Sequence, residues 1–344
     1  MGLLFLYSAS QGNIETIIKQ SFFVILGLIL MFALSQIDPD FYKNNALFFL
    51  IISIALILLT ILFGKEVNGA KRWLDLGFMR LQPSELVKVT VIMFLASYYD
   101  WLPRNKVSNV VWIIVPLLII LLPVFLVVRQ PDLGTALLIL LGGLSIMFIA
   151  GVSWFYFAIS GLGIFTFLFS IFYFRGTEFQ FLKDYQYRRI DTFLDPASDP
   201  LGAGYHITQS KIAIGSGGFS GRGFLQGTQS RLNFLPGKHT DFIFTTLAEE
   251  FGFIGGISLL GLYFLLIIFC GLVALACRDR YSGLVVSGIT MTFFLYFAVN
   301  MAMVMGLAPV VGVPLPLVSY GGSAMFVLMI AFGIIQSADI HRAR

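Results

Sequence analysis

The sequence predicts an all-α polytopic membrane protein of about ten transmembrane helices, with a long loop between the seventh and eighth spans. Three observations carry that prediction. Of the 344 residues, 58% are hydrophobic and 12% charged, against about 45–50% and about 25% in soluble domains, so a soluble globular fold is excluded. Apolar runs recur at 20–36, 45–63, 85–101, 110–128, 133–151, 153–174, 252–276, 283–306 and 322–339, each close to the roughly 20 residues that a helix needs to cross the hydrocarbon layer with some tilt. The runs are continuous rather than alternating in polarity, which excludes a membrane barrel.

These runs supply nine spans. Met1 to Ser10 adds an apolar stretch too short to cross alone, with neither the basic start nor the cleavage site of a signal peptide, and it reads as a shortened first span. No repeat or low-complexity tail interrupts the chain, so 1–344 reads as one integral membrane domain. The longest connection, 175–251, holds 8 of the 22 basic and 8 of the 18 acidic residues, which marks it as the loop that carries chemistry. Within it, Tyr205 to Ile214 and Phe242 to Leu247 have helix-compatible apolar spacing, and Gly252 marks a break before the next span. Cys270 and Cys277 lie in or at the end of one apolar run, so a disulfide framework and a cysteine metal site are both excluded.

The basic residues divide almost evenly between the two sides. Lys43, Arg104, Lys106, Arg278, Arg280, Arg342 and Arg344 fall on one side; Lys19, Lys65, Lys71, Arg72, Arg80 and Arg129 fall on the other, with the long loop. The positive-inside rule therefore barely orients the chain. Cations kept on the loop side suggest an anionic ligand there, and an inverted orientation is the alternative.

Three segments outside the long loop carry polar groups into apolar surroundings. In Gln82-Pro-Ser-Glu-Leu-Val-Lys88, Pro83 starts a helix and Glu85 and Lys88 share one face at i and i+3. Charges at that depth pair or line a cavity, so a structural salt bridge stands beside a cationic wall for phosphates made of Lys71, Arg72 and Lys88. Arg129-Gln-Pro-Asp-Leu-Gly134 interrupts a long apolar stretch, with Asp132 placed to cap the next helix. Segment 308–322 is apolar, yet Pro309, Pro314 and Pro316 prevent a helix. Irregular backbone at membrane depth must be buried in protein or line a cavity, so this segment reads as a pocket wall.

In the long loop, glycine clusters at 202–204, 215–218 and 221–223 permit tight turns and close backbone approach. They match neither dinucleotide nor P-loop fingerprints, and neither a nucleotide site nor a nucleic-acid partner is predicted. Asp241 follows Lys238 and His239 where the polar loop turns into an apolar helix, a position suited to a cap or to a catalytic carboxylate. Glu249 and Glu250 precede Gly252 as caps or supporting groups. His206, His239 and His341 lack the spacing of a zinc hydrolase.

Across nearly its whole length the chain resembles the SEDS family (shape, elongation, division and sporulation proteins). The resemblance rests on Tyr7-Ser-Ala-Ser10, Arg72-Trp73, Gln82 to Lys88, Gln130-Pro-Asp-Leu-Gly134, Asp199 to His206, Gln209 to Gly218, Gly227-Thr-Gln-Ser230, His239-Thr-Asp-Phe-Ile-Phe244 and Pro314 to Gly322. The residue before His239 and the Leu-Ala-Glu-Glu segment are similar to the elongation, RodA-like branch. Two departures stand out: the first span is shorter than the family's, and Gly237 replaces the usual Glu.

The resemblance implies ten spans with both termini cytoplasmic, in the bacterial inner membrane, and the 175–251 loop extracytoplasmic. It also implies a peptidoglycan glycosyltransferase that joins lipid II to an undecaprenyl diphosphate-linked glycan. Asp241 would be the catalytic base. Lys88, Arg72 and Lys71 would bind the diphosphate with Glu85 orienting Lys88, and Lys238, His239, Asp132 and Ser319 would complete the substrate site. A base on the acceptor hydroxyl and cations on the leaving diphosphate are what such a transfer needs. One base suffices for inversion. No cofactor is implied, and a divalent cation at the diphosphate is left open. The implied partners are a class B penicillin-binding protein and other elongation-complex proteins. A lipid II flippase or a non-catalytic scaffold for the penicillin-binding protein are the alternatives.

Overall fold

The structure is a computed structural model, and it describes residues 2–67, 70–75, 77, 80–177, 180, 187, 191–195, 203–228 and 239–342. Backbone polar groups in hydrocarbon must be satisfied within the chain, and every apolar run is helical. In chain order the helices are α1 (Gly2–Ala9), α2 (Ile14–Ser35), α3 (Pro39–Asn44), α4 (Ala46–Phe63), α5 (Pro83–Trp101), α6 (Val110–Arg129), α7 (Leu133–Ile149), α8 (Trp154–Tyr173), α9 (Ala203–Ser216), α10 (Ile243–Ala276), α11 (Arg280–Val304) and α12 (Gly322–His341). Caps close several of them: Asn13 accepts from the amides of Glu15 and Thr16, and Asp279 from that of Ser282.

Among the described residues, seven helices, α2, α4, α6, α8, α10, α11 and α12, are long and apolar enough to cross a membrane, and this is a multi-pass membrane protein. α7 is apolar but has 17 residues. α5 carries Glu85, Lys88 and Asp100 among its 19 residues. The eight residues of α1 reach only about 12 Å.

The expectation of an all-α chain needs one correction. Three short strands form a small antiparallel sheet, β1 (Lys65–Val67), β2 (Ala70–Asp75) and β3 (Arg80–Leu81), in the order β1-β2-β3. Its ladders pair Glu66 with Lys71, Val67 with Ala70, and Asp75 with Arg80. The two residues between Val67 and Ala70 are Asn68-Gly69, a strong short hairpin signal that apolar runs do not register.

The core forms where α11 and α12 meet α2, α5, α7 and α10. About half of the apolar stretch of α12 is buried, whereas almost all of α8 is exposed, a surface suited to lipid. Small residues let these helices approach closely, since a Cβ on Gly288 of α11 would lie 2.1 Å from Ile146 of α7.

The helix ends sort into two sets. At one end of the bundle, Arg72 meets the Gln130–Pro131 turn, Gln82 meets Asp132, and residues 239–241 meet 300–320. At the other, Lys43 pairs with Asp100 and Arg280 donates to Leu102 O. As expected, the segment before α12 is non-helical, and the long loop does contain a helix over 203–216. The expected break at Gly252 is present: its φ of 63° and ψ of −155° belong to a region open to glycine alone. α10 is thus a half-helix, 243–251, followed by the span.

Candidate active site

The site lies where the sheet, the turn before α7, the start of α10 and the irregular segment 305–321 converge. Residues 239–241 are pinned carbonyl by carbonyl. Tyr320 N donates to His239 O at 2.8 Å, Ser319 Oγ to Thr240 O at 2.5 Å, and Asn300 Nδ2 to Asp241 O at 2.8 Å. Phe242, not Asp241, occupies the N-cap position of α10. The Asp241 carboxylate accepts from Thr240 instead, and its Oδ2 lies 3.6 Å from where a Cβ on Gly312 would stand. Burial pushes this carboxyl up from 3.8 to about 6, with Asp132 raising it further, and the Thr240 hydrogen bond and the Arg72 charge opposing.

Beneath it lies a buried ionic triad. Lys88 Nζ donates to Glu85 Oε1 at 2.7 Å and to Tyr296 Oη at 2.9 Å, and Tyr296 Oη donates to the Glu85 carboxylate at 2.9 Å. The ammonium also sits 4.0 Å from the centre of the Tyr296 ring. Glu85, Lys88 and Tyr296 line a cavity of ≈ 30 Å³ whose other walls, Thr292 apart, are apolar, including Phe293, Leu328 and Phe332. A second, smaller cavity shares Tyr296 and Leu328 and is walled by Pro314, Leu315, Ser319 and Tyr320, so segment 308–322 is a pocket wall as expected. Asp132 and Asp241 are both close enough for their charges to be felt at Tyr296.

The comparisons with known proteins agree along the whole chain. The FtsW/RodA/SpoVE family, described as cell cycle proteins, matches residues 1–344. The chain belongs to that family. The peptidoglycan glycosyltransferase MrdB of Escherichia coli (strain K12) is 44% identical over 341 residues, 98% of this chain and 90% of that protein. The peptidoglycan glycosyltransferase RodA of Treponema pallidum (strain Nichols) is 34% identical, covering 99% and 95%. Among solved structures, a chain of a peptidoglycan synthase complex that coordinates polymerization and crosslinking superposes with a TM-score of 0.87 at 31% identity, covering 100% of this chain and 94% of that one. The rod shape determining protein RodA of Thermus thermophilus superposes with a TM-score of 0.74 at 28% identity, covering 100% and 93%.

Within this FtsW/RodA/SpoVE chain, several expected ligand residues hold protein instead. Lys71 and Arg72 do not form one cationic wall, because successive strand residues point to opposite faces. Lys71 is exposed opposite Glu66, while Arg72 donates through Nε to Gln130 O at 2.9 Å and through its terminal nitrogen to Pro131 O. Asp132 is the cap of α7, accepting from Thr135 N at 3.2 Å and also from Gln82 Nε2 at 2.8 Å. Ser319 serves the Thr240 backbone. Lys238 lies outside the described residues.

The cations of this end are also less available than their number suggests, since Lys19 pairs with Glu15 and Lys65 with Asp75, and Arg129 stacks on Phe125. Glu249 and Glu250 tie the half-helix to its surroundings: Thr228 donates to Glu249 at 3.0 Å and Ser8 of α1 donates to Glu250. The glycine loop lies directly on their backbone, a Cβ on Gly221 falling 2.1 Å from Glu250 O. Tyr296 and Asn300 went unnoticed in the sequence because both sit inside an apolar run. The signal was there: polar groups in a spanning helix are costly and mark sites. Among the described residues, no three His, Cys, Asp or Glu side chains converge to hold a metal ion.

Proposed function

We propose that this chain is a peptidoglycan glycosyltransferase of cell elongation. It transfers a lipid-linked glycan chain onto lipid II, with Asp241 as the general base. Asp241 takes the proton of the acceptor GlcNAc 4-hydroxyl, and that oxygen attacks the MurNAc anomeric carbon. The bond from that carbon to the diphosphate breaks, and undecaprenyl diphosphate leaves with inversion. The single observation that carries this reading is the Asp241 carboxyl, partly buried beside Gly312, raised to about 6 and acted on by Arg72. A base near the working pH is what proton abstraction needs. In this reading Arg72, through the guanidinium nitrogen left free by the turn, stabilises the developing negative charge, and the buried Lys88 adds positive potential from below.

Nine full spans, counting α5 and α7 with the seven apolar helices, and α1 as a shortened first span give ten crossings of the bacterial inner membrane. The site end then faces outside and both termini the cytoplasm. The synthase complex among its structural relatives supports a transpeptidase partner, and we assign this chain a class B penicillin-binding protein. The purified pair, given lipid II in detergent where no second leaflet exists, should form glycan strands, and Asp241→Asn should stop their formation while the pair stays associated. Absence of polymer from the parent protein would point to transport or tethering.

A further inference from the structure

Asn300 is fully buried in the last turns of α11, where an amide is costly unless its groups are bonded. Its Nδ2 gives both protons to main-chain carbonyls, Asp241 O at 2.8 Å and Val313 O at 2.6 Å. Those two carbonyls belong to segments that meet only in the tertiary structure: one carries the Asp241 carboxylate, and the other begins beside Gly312, which that carboxylate faces. The amide's own Oδ1 is buried without a hydrogen-bond partner, so the side chain is kept for its two donors. Ser319 and Tyr320 fasten residues 240 and 239 from the same irregular segment, but the bond to residue 241 comes from Asn300.

We propose that Asn300 is a positioning residue for glycosyl transfer, clamping the main chain of residue 241 to Val313 so that the Asp241 carboxylate stays turned toward Gly312. This rests on Asp241 being the base. The charged groups acting on that carboxylate, Arg72 from β2 and Asp132 from the turn before α7, belong to other elements and are left in place when Asn300 is changed. Without the clamp the carboxylate swings toward water, which lowers the rate through misplacement and relieves its desolvation.

The test uses the full chain with its partner and lipid II in detergent, with kcat and KM followed between pH 5 and 8. Asn300→Leu has similar volume and removes the orphan acceptor along with the donors. It should lower kcat by about 10- to 100-fold with KM unchanged, and should move the acid limb of kcat downward toward the ordinary carboxylate range. Asn300→Ser, which fits the same space and donates to one carbonyl, should fall between the two and decides the question should the leucine variant not fold. A folded variant with parental kcat and acid limb, or a loss confined to KM, overturns the positioning role. Asp241→Asn run alongside separates the two ideas: turnover that survives it refutes the base, whereas turnover that dies with it and ignores Asn300 refutes only the clamp.

Discussion

Asp241 should make the folded protein less stable at neutral pH than its amide isostere, and the size of that effect follows from its environment. The carboxyl titrates near 6 in the fold instead of 3.8, a rise of about 2 units. At about 1.4 kcal/mol per unit the ionised form costs about 3 kcal/mol, an upper figure because the side chain is partly exposed. The sign follows from proton binding. Below about pH 4 the group is protonated in both folded and unfolded chains and costs nothing. As pH rises from about 4 to 6 the unfolded chain ionises first, so the penalty grows, and above about 6 it is complete.

Asp241→Asn removes the charge and keeps the shape. Its melting temperature should match the parent's near pH 3 and exceed it by several degrees at pH 7.5. Tryptophan fluorescence melts in detergent at one fixed scan rate would measure the gap, since an irreversible transition depends on that rate. A gap that is constant with pH, or an amide variant that melts lower at pH 7.5, would refute a desolvated carboxylate at this position.

The remaining expectations concern the groups around it. The acid limb of the pH profile for polymer formation should lie near 6, set by Asp241, and an acid limb near 4 in steady-state rates would remove it as the titrating group. Glu85→Gln strands the Lys88 ammonium in the bundle and should cost about 3–5 kcal/mol, while Glu85→Leu combined with Lys88→Met should melt closer to the parent. Arg72→Lys cannot reach both the Gln130 and Pro131 carbonyls and should cost about 1.5–3 kcal/mol; Lys71→Ala, exposed on the other face, should change the stability by no more than about 0.5 kcal/mol. Gly252→Ala forces a side chain onto a backbone 2.3 Å from Gly221 N and should cost at least about 1–3 kcal/mol, visible as early loss of the half-helix in hydrogen exchange.

The spanning helices were legible because hydrocarbon imposes one rule on every residue it contains, and a run of apolar side chains states that rule locally. Breaks were legible for the same reason, with Gly252 and the prolines at 309, 314 and 316 announcing by their own backbones that a helix cannot continue. The small sheet escaped because its signal, Asn68-Gly69 between short strands, is weak beside the apolar runs. The pairing of Glu85 with Lys88 follows from helical spacing, but the third member, Tyr296, comes from a helix more than two hundred residues away. Arg72 looked free for a phosphate until the turn at Gln130 was folded against it.

The linear order of residues thus determined that this chain is a helical membrane protein, where its helices stop, and that position 241 marks a polar-to-apolar junction near a cationic segment. Only tertiary packing decided that Asp241 would be half withdrawn from water, that Asn300 and Ser319 would fasten its backbone, and that Lys71 and Arg72 would part company. Hydrophobicity and backbone preference are properties of neighbours in sequence, whereas desolvation and hydrogen-bond partnership depend on which distant segments close over a group.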